Sequence, residues 1–182
     1  MKDLSLHILD IAQNSISAKA TLIQITIDED KFNNRYVLVV EDNGTGMPPE
    51  VLAKVTDPYT TSRKTRKVGL GLPLLKLNAE FAKGGLNITS ELGVGTKVTA
   101  TFEFDHIDRV PRGDIAGVVV ILASMNPNIE FIYKHITPRG EYIFDTQEIK
   151  VILDDLSIQD LSIQKYLREM IEENLKEIGY DK

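Results

Sequence analysis

The chain contains no cysteine, which excludes disulfides and thiolate metal sites. Histidine is nearly as scarce. His7, His106 and His135 stand singly, too scattered for a zinc site. The longest apolar run, Ile115 to Ala123, is far too short to cross a bilayer. The opening residues lack the basic, apolar and small-residue order of a secretory leader. No Gly-, Ser- or Pro-rich linker divides the chain, and the echo DLSIQDLSIQ is too brief for a repeat architecture. Positive charge is also short, with 21 Lys and Arg against 27 Asp and Glu, for a net charge of −6. Gripping nucleic-acid phosphates needs a basic face, so neither a nucleic-acid nor a membrane partner is expected. The expected compartment is the cytoplasm.

With these classes removed, 182 residues that are 42% hydrophobic and 26% charged suit one globular domain, or one with an appendage. Residues 3–18 have helical spacing, with Leu4, Ile8, Ile11, Ala12 and Ser15 on one face and His7, Asp10 and Asn14 as a stripe on the other. Ala20 to Asp28 and Tyr36 to Glu41 are β-branched and predict strands, joined by the polar connection Glu29 to Asn34. A turn at Asp42 to Gly46 precedes a short helix opened by Pro48-Pro49. Residues 55–68 are basic, Thr-rich and aperiodic, hence a loop, and Gly69 to Lys83 is helical. Leu86 to Ser90 and Thr96 to Phe104 predict a strand pair turned at Gly93-Val94-Gly95. Beyond residue 105 the pattern predicts strands at Ile115 to Ala123, Ile129 to Tyr133 and Glu141 to Phe144. Helices are predicted over Thr146 to Asp154 and Ile163 to Ile178. The last helix carries Leu167, Met170, Ile171, Leu175 and Ile178 on one side, a face for docking on the body.

Three elements carry chemistry, each with a bland alternative. Asp10 and Asn14 are four residues apart, on one helix face. The Asn14 amide oxygen is the kind of hard donor that Mg²⁺ takes, and Asp10 is the candidate general base for a water attacking a phosphate; otherwise the pair is a solvated face. Asp42-Asn43-Gly44-Thr45-Gly46 places a carboxylate at a strand end, able to accept from an exocyclic amine such as that of adenine. Gly44 and Gly46 allow a sharp turn and close approach to a flat ligand; otherwise the segment is an ordinary turn. Gly69-Leu70-Gly71 opens a helix directly after the basic cluster Arg63 to Lys67. Free amides and the helix dipole make such a start an anion site; otherwise it is a plain loop-to-helix junction.

In order and at nearly equal spacing, HILDIAQNSISAKA, EDNGTGMP, TTSRKTRKVGLGLPLLK and GVGTKVTATF resemble the four boxes of the GHKL ATPases, the Bergerat-fold superfamily of gyrase, MutL and the histidine kinases. The resemblance covers roughly residues 4–104 and implies a two-layer α/β sandwich: a mixed sheet with helices on one face. It also implies that residues 1–105 form an ATP-binding domain. Residues 106–182, where the pattern changes and the resemblance ends, are expected to form a C-terminal β/α extension packed on it, either continuing the sheet or making an interaction module. The implied ligands are ATP and Mg²⁺. By resemblance, Asn14 binds Mg²⁺; Asp42, Gly44 and Gly46 grip adenine; Gly69, Leu70 and Gly71 meet the phosphates; and Thr96 helps bind adenine. DPYTTSRKTRKVGLGLPLLK is similar to the lid of histidine kinases, which implies that Thr60, Thr61, Arg63 and Lys64 lie near the terminal phosphate. QNSISAKATLIQI is more similar to MutL. The whole pattern also resembles small stand-alone ATP-binding proteins of anaerobic bacteria.

Two departures shape the expected function. Gyrase and MutL carry glutamate where this chain has Asp10. The 13 residues ahead of Asn14 leave no room for a phosphoacceptor helix, and His7 lies on the Asn14 helix itself. The leading expectation is a Mg-ATP-binding signalling module that regulates or phosphorylates a protein partner in trans. The alternatives are an autonomous ATPase with Asp10 as base, and an interaction protein for which ATP is a structural ligand.

Overall fold

A computed structural model describes residues 2–57 and 70–179. The first helix, α1 (Leu4–Ser17), starts where the Asp3 carboxylate accepts the Leu6 amide at 3.0 Å, a side-chain N-cap. Lys19, at φ 60°, turns the chain back into β1 (Leu22–Asp30), which pairs antiparallel with β2 (Arg35–Asp42). A short α2 (Pro49–Leu52) follows, then α3 (Gly71–Phe81). The hairpin of β3 (Gly85–Glu91) and β4 (Gly95–Glu103) adds to β2 through β4. After α4 (Ile115–Met125) come β5 (Glu130–Thr137) and β6 (Gly140–Asp145), α5 (Thr146–Leu153) and α6 (Leu161–Glu177).

The six strands form one mixed sheet in the order β3-β4-β2-β1-β5-β6. Among the described residues the one parallel pair is β1 with β5, which needs a crossover and receives it from α4. Register decides which side chains meet the helices. Ile25 lies opposite Val40, Val40 opposite Val98, and Ile25 beside Tyr133, so one face is apolar across the strands and buried. Helices α1, α3, α4 and α6 cover this face with Leu4, Ile8, Leu75, Val119, Leu167 and Ile171, all at most 1% exposed. Each such side chain removed from water contributes about 1.5–3 kcal/mol. The opposite face carries Gln24, Glu41, Thr89 and Lys97, and no helix layer covers it among the described residues.

The run from Ile115 to Ala123 is helix, not the strand its composition predicts. It lacks helical periodicity because it is mostly surrounded: Ile115 to Val120 and Leu122 to Ser124 are all buried, and before the exposed Met125 at its end only Ile121 looks outward. Its start was legible in Asp114, whose carboxylate caps the Gly117 amide at 2.9 Å. The described C-terminal part therefore holds two strands and three helices, and β5 and β6 continue the N-terminal sheet. The α6 face docks as its pattern implies, with Leu167, Ile171 and Leu175 buried and Met170 and Ile178 partly so.

Strand β1 also runs further than expected. Glu29 belongs to it and is 1% exposed. Its carboxylate takes Arg112 at 2.9 Å and the His135 imidazole at 3.1 Å, and His135 in turn meets the Tyr133 hydroxyl at 2.6 Å. Pairing of this kind is what makes a buried carboxylate tolerable.

Candidate functional site

The end of α1 and the end of β2 are joined through a side chain that the chemistry-bearing motifs leave out. Ser15, on the buried face of α1, donates its hydroxyl to Asp42 Oδ2 at 2.5 Å, and the Gly44 amide donates to Asp42 Oδ1 at 2.8 Å. Both oxygens of Asp42 are thereby oriented, and each keeps a lone pair. The signal for Ser15 was its place on an apolar face, since a buried hydroxyl must find a partner. The turn after Asp42 is held from three sides. Asn43 Oδ1 accepts the Thr21 and Leu22 amides at 2.8 and 2.9 Å, Thr45 N donates to Ala18 O at 2.8 Å, and Gly93 N donates to Thr45 O at 2.8 Å.

The glycines here have a structural cause. A side chain on Gly44 would stand 2.8 Å from the Ala18 carbonyl oxygen. Gly46 has φ +65°, and its Cβ would fall 1.9 Å from the Glu91 carbonyl oxygen. The turn is wedged between the C-terminus of α1 and the β3–β4 hairpin, so protein backbone fills the space the missing side chains leave. Thr96 lies opposite Asp42 in the β2–β4 register, and its hydroxyl is 2.8 Å from that of Ser90. Ser90 also accepts the Met47 amide at 2.8 Å and so ties the hairpin to the Asp42 turn.

The start of α3 meets α1 at Asp10. An ideal Cβ on Gly71 would lie 1.7 Å from Asp10 Oδ2, so the carboxylate occupies the volume any side chain there would need. Leu70, the N-cap, is half-exposed and supplies no side-chain cap, which leaves the first amides of α3 without that partner. Asn14 is one turn beyond Asp10 on the same stripe and adjacent to Ser15. Around α1 the structure therefore brings together Asp10, Asn14, Asp42, Gly44, Gly46, Leu70, Gly71 and, through β4, Thr96. Thr60, Thr61, Arg63, Lys64 and Gly69 lie outside the described residues.

The stripe of His7, Asp10 and Asn14 does not face solvent throughout. His7 is fully buried against α3, its Nε2 3.0 Å from Asn78 Nδ2, and burial pushes its pKa down to about 4. His7 is therefore neutral at physiological pH. A separate hollow of about 460 Å³ is lined by Gln24, Glu41, Thr89 and Lys97 together with Asp42, Ser90 and Thr96. It opens on the uncovered sheet face, behind the contacts of Asp42 with α1, and is not the cleft those contacts frame.

No helix among the described residues is long and apolar enough to cross a membrane, and no cluster of three His, Asp or Glu suited to a metal occurs among them. The chain is 33% identical over 94 residues to sporulation kinase D of Bacillus subtilis, covering 52% of this chain and 18% of that protein. It is 30% identical over 96 residues to the histidine protein kinase DivJ of Caulobacter vibrioides, covering 50% of this chain and 16% of that one. It thus corresponds to under a fifth of either kinase's length. Among solved structures, the Aquifex aeolicus MutL ATPase domain complexed with ADP superposes with a TM-score of 0.53 at 16% identity, over 100% of this chain and 99% of that one. The N-terminal domain of a DNA repair protein gives 0.54 at 18% identity, over 79% of this chain and 52% of that one. These two likenesses show the fold. Residues 2–106, which hold α1, the Asp42 turn, the start of α3 and β4, match the family of histidine kinase-, DNA gyrase B- and HSP90-like ATPases, and the chain belongs to it.

Proposed function

We propose that this chain binds Mg-ATP in the cleft bounded by α1, the Asp42 turn and the N-terminus of α3, and uses nucleotide-dependent closure to regulate or phosphorylate a protein partner. The observation that carries the reading is that α1 touches two separate elements at once. Ser15 holds the Asp42 carboxylate and Asp10 packs on Gly71, with Asn14 on the same flank of the helix. Asp42, with both oxygens oriented, accepts the exocyclic amine of adenine. Thr96 and Ser90 offer hydroxyls on the same side of the sheet, and the first amides of α3 face the phosphates. The Asn14 amide suits a hard cation, since its oxygen is the donor type Mg²⁺ prefers. Mg²⁺ bound there would offset the negative charge of the phosphates. Thr60, Thr61, Arg63, Lys64 and Gly69 complete the phosphate end in this reading.

Transfer to a histidine within these residues is disfavoured. His7 and His135 are both fully buried, and His106 is mostly covered, its side chain 16% exposed. The acceptor or regulated surface is accordingly assigned to a protein partner. The expected compartment is the cytoplasm, and no nucleic acid is assigned. Isothermal titration of the full chain with Mg-ATP checks the core of the proposal. Saturable binding with micromolar to millimolar affinity is expected and should weaken when EDTA removes the metal. A flat titration at millimolar nucleotide would sink it.

The position of Asp10 against the start of α3 favours a second reading, an autonomous ATPase with Asp10 as general base. Its test is turnover. Purified protein releases phosphate from ATP, and Asp10→Asn lowers the rate by about a hundredfold or more while binding persists. Equal turnover in the variant removes the base role.

A further inference from the structure

Two contacts between α1 and α3 involve polar side chains of α1. At the first, Asp10 fills the space beside Gly71. At the second, Asn78 Nδ2 lies 3.0 Å from His7 Nε2. The seven residues from Gly71 to Asn78 span about 10.5 Å of α3, whereas the three from His7 to Asp10 rise only about 4.5 Å along α1. The helices therefore cross, and the second contact restricts how α3 can swing about the first. Leu75 and Ala79 of α3 are fully buried in the apolar core beneath the helix, but such contacts are not directional. A hydrogen bond is.

The imidazole costs something in this place. His7 is 0% exposed, and its Nδ1 is buried with no hydrogen-bond partner among the described residues. Leucine would fill the same volume without leaving a polar atom unmet. What an imidazole adds is its hold on Asn78. The adenine end of the cleft has its own ties, Ser15 to Asp42 and Ser90 to Thr96, and neither involves α3.

We infer that the His7–Asn78 hydrogen bond is a positioning contact for the phosphate end of the nucleotide site, holding the N-terminus of α3 against Asp10 independently of the adenine end. The inference rests on the nucleotide reading above. It treats His7 and Asn78 as positioning residues that touch no ligand.

Asn78→Leu tests it, because Asn78 is only partly buried and leucine has a similar shape. Two affinities are measured in wild type and variant, one for Mg-ATP and one for adenosine, which lacks phosphates. The expected result is a five- to tenfold loss for Mg-ATP, about the worth of one hydrogen bond, with adenosine affinity unchanged. Equal losses for both ligands would mean general loosening and overturn the inference, as would unchanged Mg-ATP affinity. Hydrogen exchange in the absence of nucleotide is the second measurement. Amides of residues 71–78 should exchange faster in the variant while those of α6 do not. Should wild type bind no ATP, the nucleotide reading falls by itself and this exchange result decides the helix tie. Unchanged α3 exchange rejects it.

Discussion

Asp42→Asn leaves the protein folded and weakens Mg-ATP binding by about a hundredfold. The substitution is nearly isosteric, and both local ties survive it. The remaining amide oxygen still accepts from the Gly44 amide, and the Ser15 hydroxyl can rotate to accept where it formerly donated. What is lost is the negative charge and one of two acceptor atoms, at the point where the proposed site meets an amine. Hydrogen bonds to charged groups contribute about 1.5–3 kcal/mol, and an amine left facing another donor loses more, which together amount to about two orders of magnitude in affinity. Titration of wild type and variant with Mg-ATP, with circular dichroism to establish folding, gives the comparison. A variant that binds within threefold of wild type removes Asp42 from the adenine contact.

Glu29→Ala costs about 3–5 kcal/mol of stability and has little effect on nucleotide affinity in the molecules that remain folded. Glu29 is 1% exposed and answers two partners, Arg112 and His135. Its removal leaves the largely buried Arg112 guanidinium, whose side chain is 15% exposed, without its carboxylate. Breaking a buried pair from one side has this magnitude because the charge left behind stays desolvated after losing this carboxylate. The damage also reaches α1. Pro111 and Arg112 accept the Leu4 and Ser5 amides through their carbonyls at 2.9 and 3.0 Å, so the segment that presents Arg112 also holds the first turn of the helix. In register, however, Glu29 lies opposite Tyr36, at the far end of β2 from Asp42, so the nucleotide contacts are spared. Urea denaturation reads the loss directly. Replacing Glu29 and Arg112 together with methionine should recover much of it, since an apolar pair of similar volume carries no desolvation cost. A single variant within about 1 kcal/mol of wild type would show that the network contributes nothing.

Glu29 also marks where reading the chain from its residues stops working. A glutamate followed by Asp-Lys-Phe-Asn-Asn looks like the start of a polar connection, and only its neighbours across β5 and the 105–114 segment make it a core residue. His7 is the same case. On a helical wheel it shares the polar stripe of Asp10 and Asn14, and it is the approach of α3 that buries it. The strand expected over Ile115 to Ala123 failed for a related reason. A run with no polar position carries no period, and a helix enclosed along most of its surface reads like a central strand.

The local signals were sufficient wherever one face of an element stays wet. Helices α1, α3, α5 and α6, strands β1 to β6 and the hairpin turns were all legible from period, caps and glycines, because alternating burial writes itself into residue order. The motif order was likewise enough to indicate the family, since Asn14, Asp42, Gly71 and Thr96 keep their sequence and spacing whatever surrounds them. Only the folded chain supplied the contacts between those motifs: Ser15 on Asp42, Asp10 in the space of Gly71, Ser90 on Thr96, and His7 on Asn78. Each joins residues distant in sequence or on separate elements, and no local periodicity encodes such a meeting. It follows from register and helix crossing, which depend on the packing of the whole sheet and its helix layer.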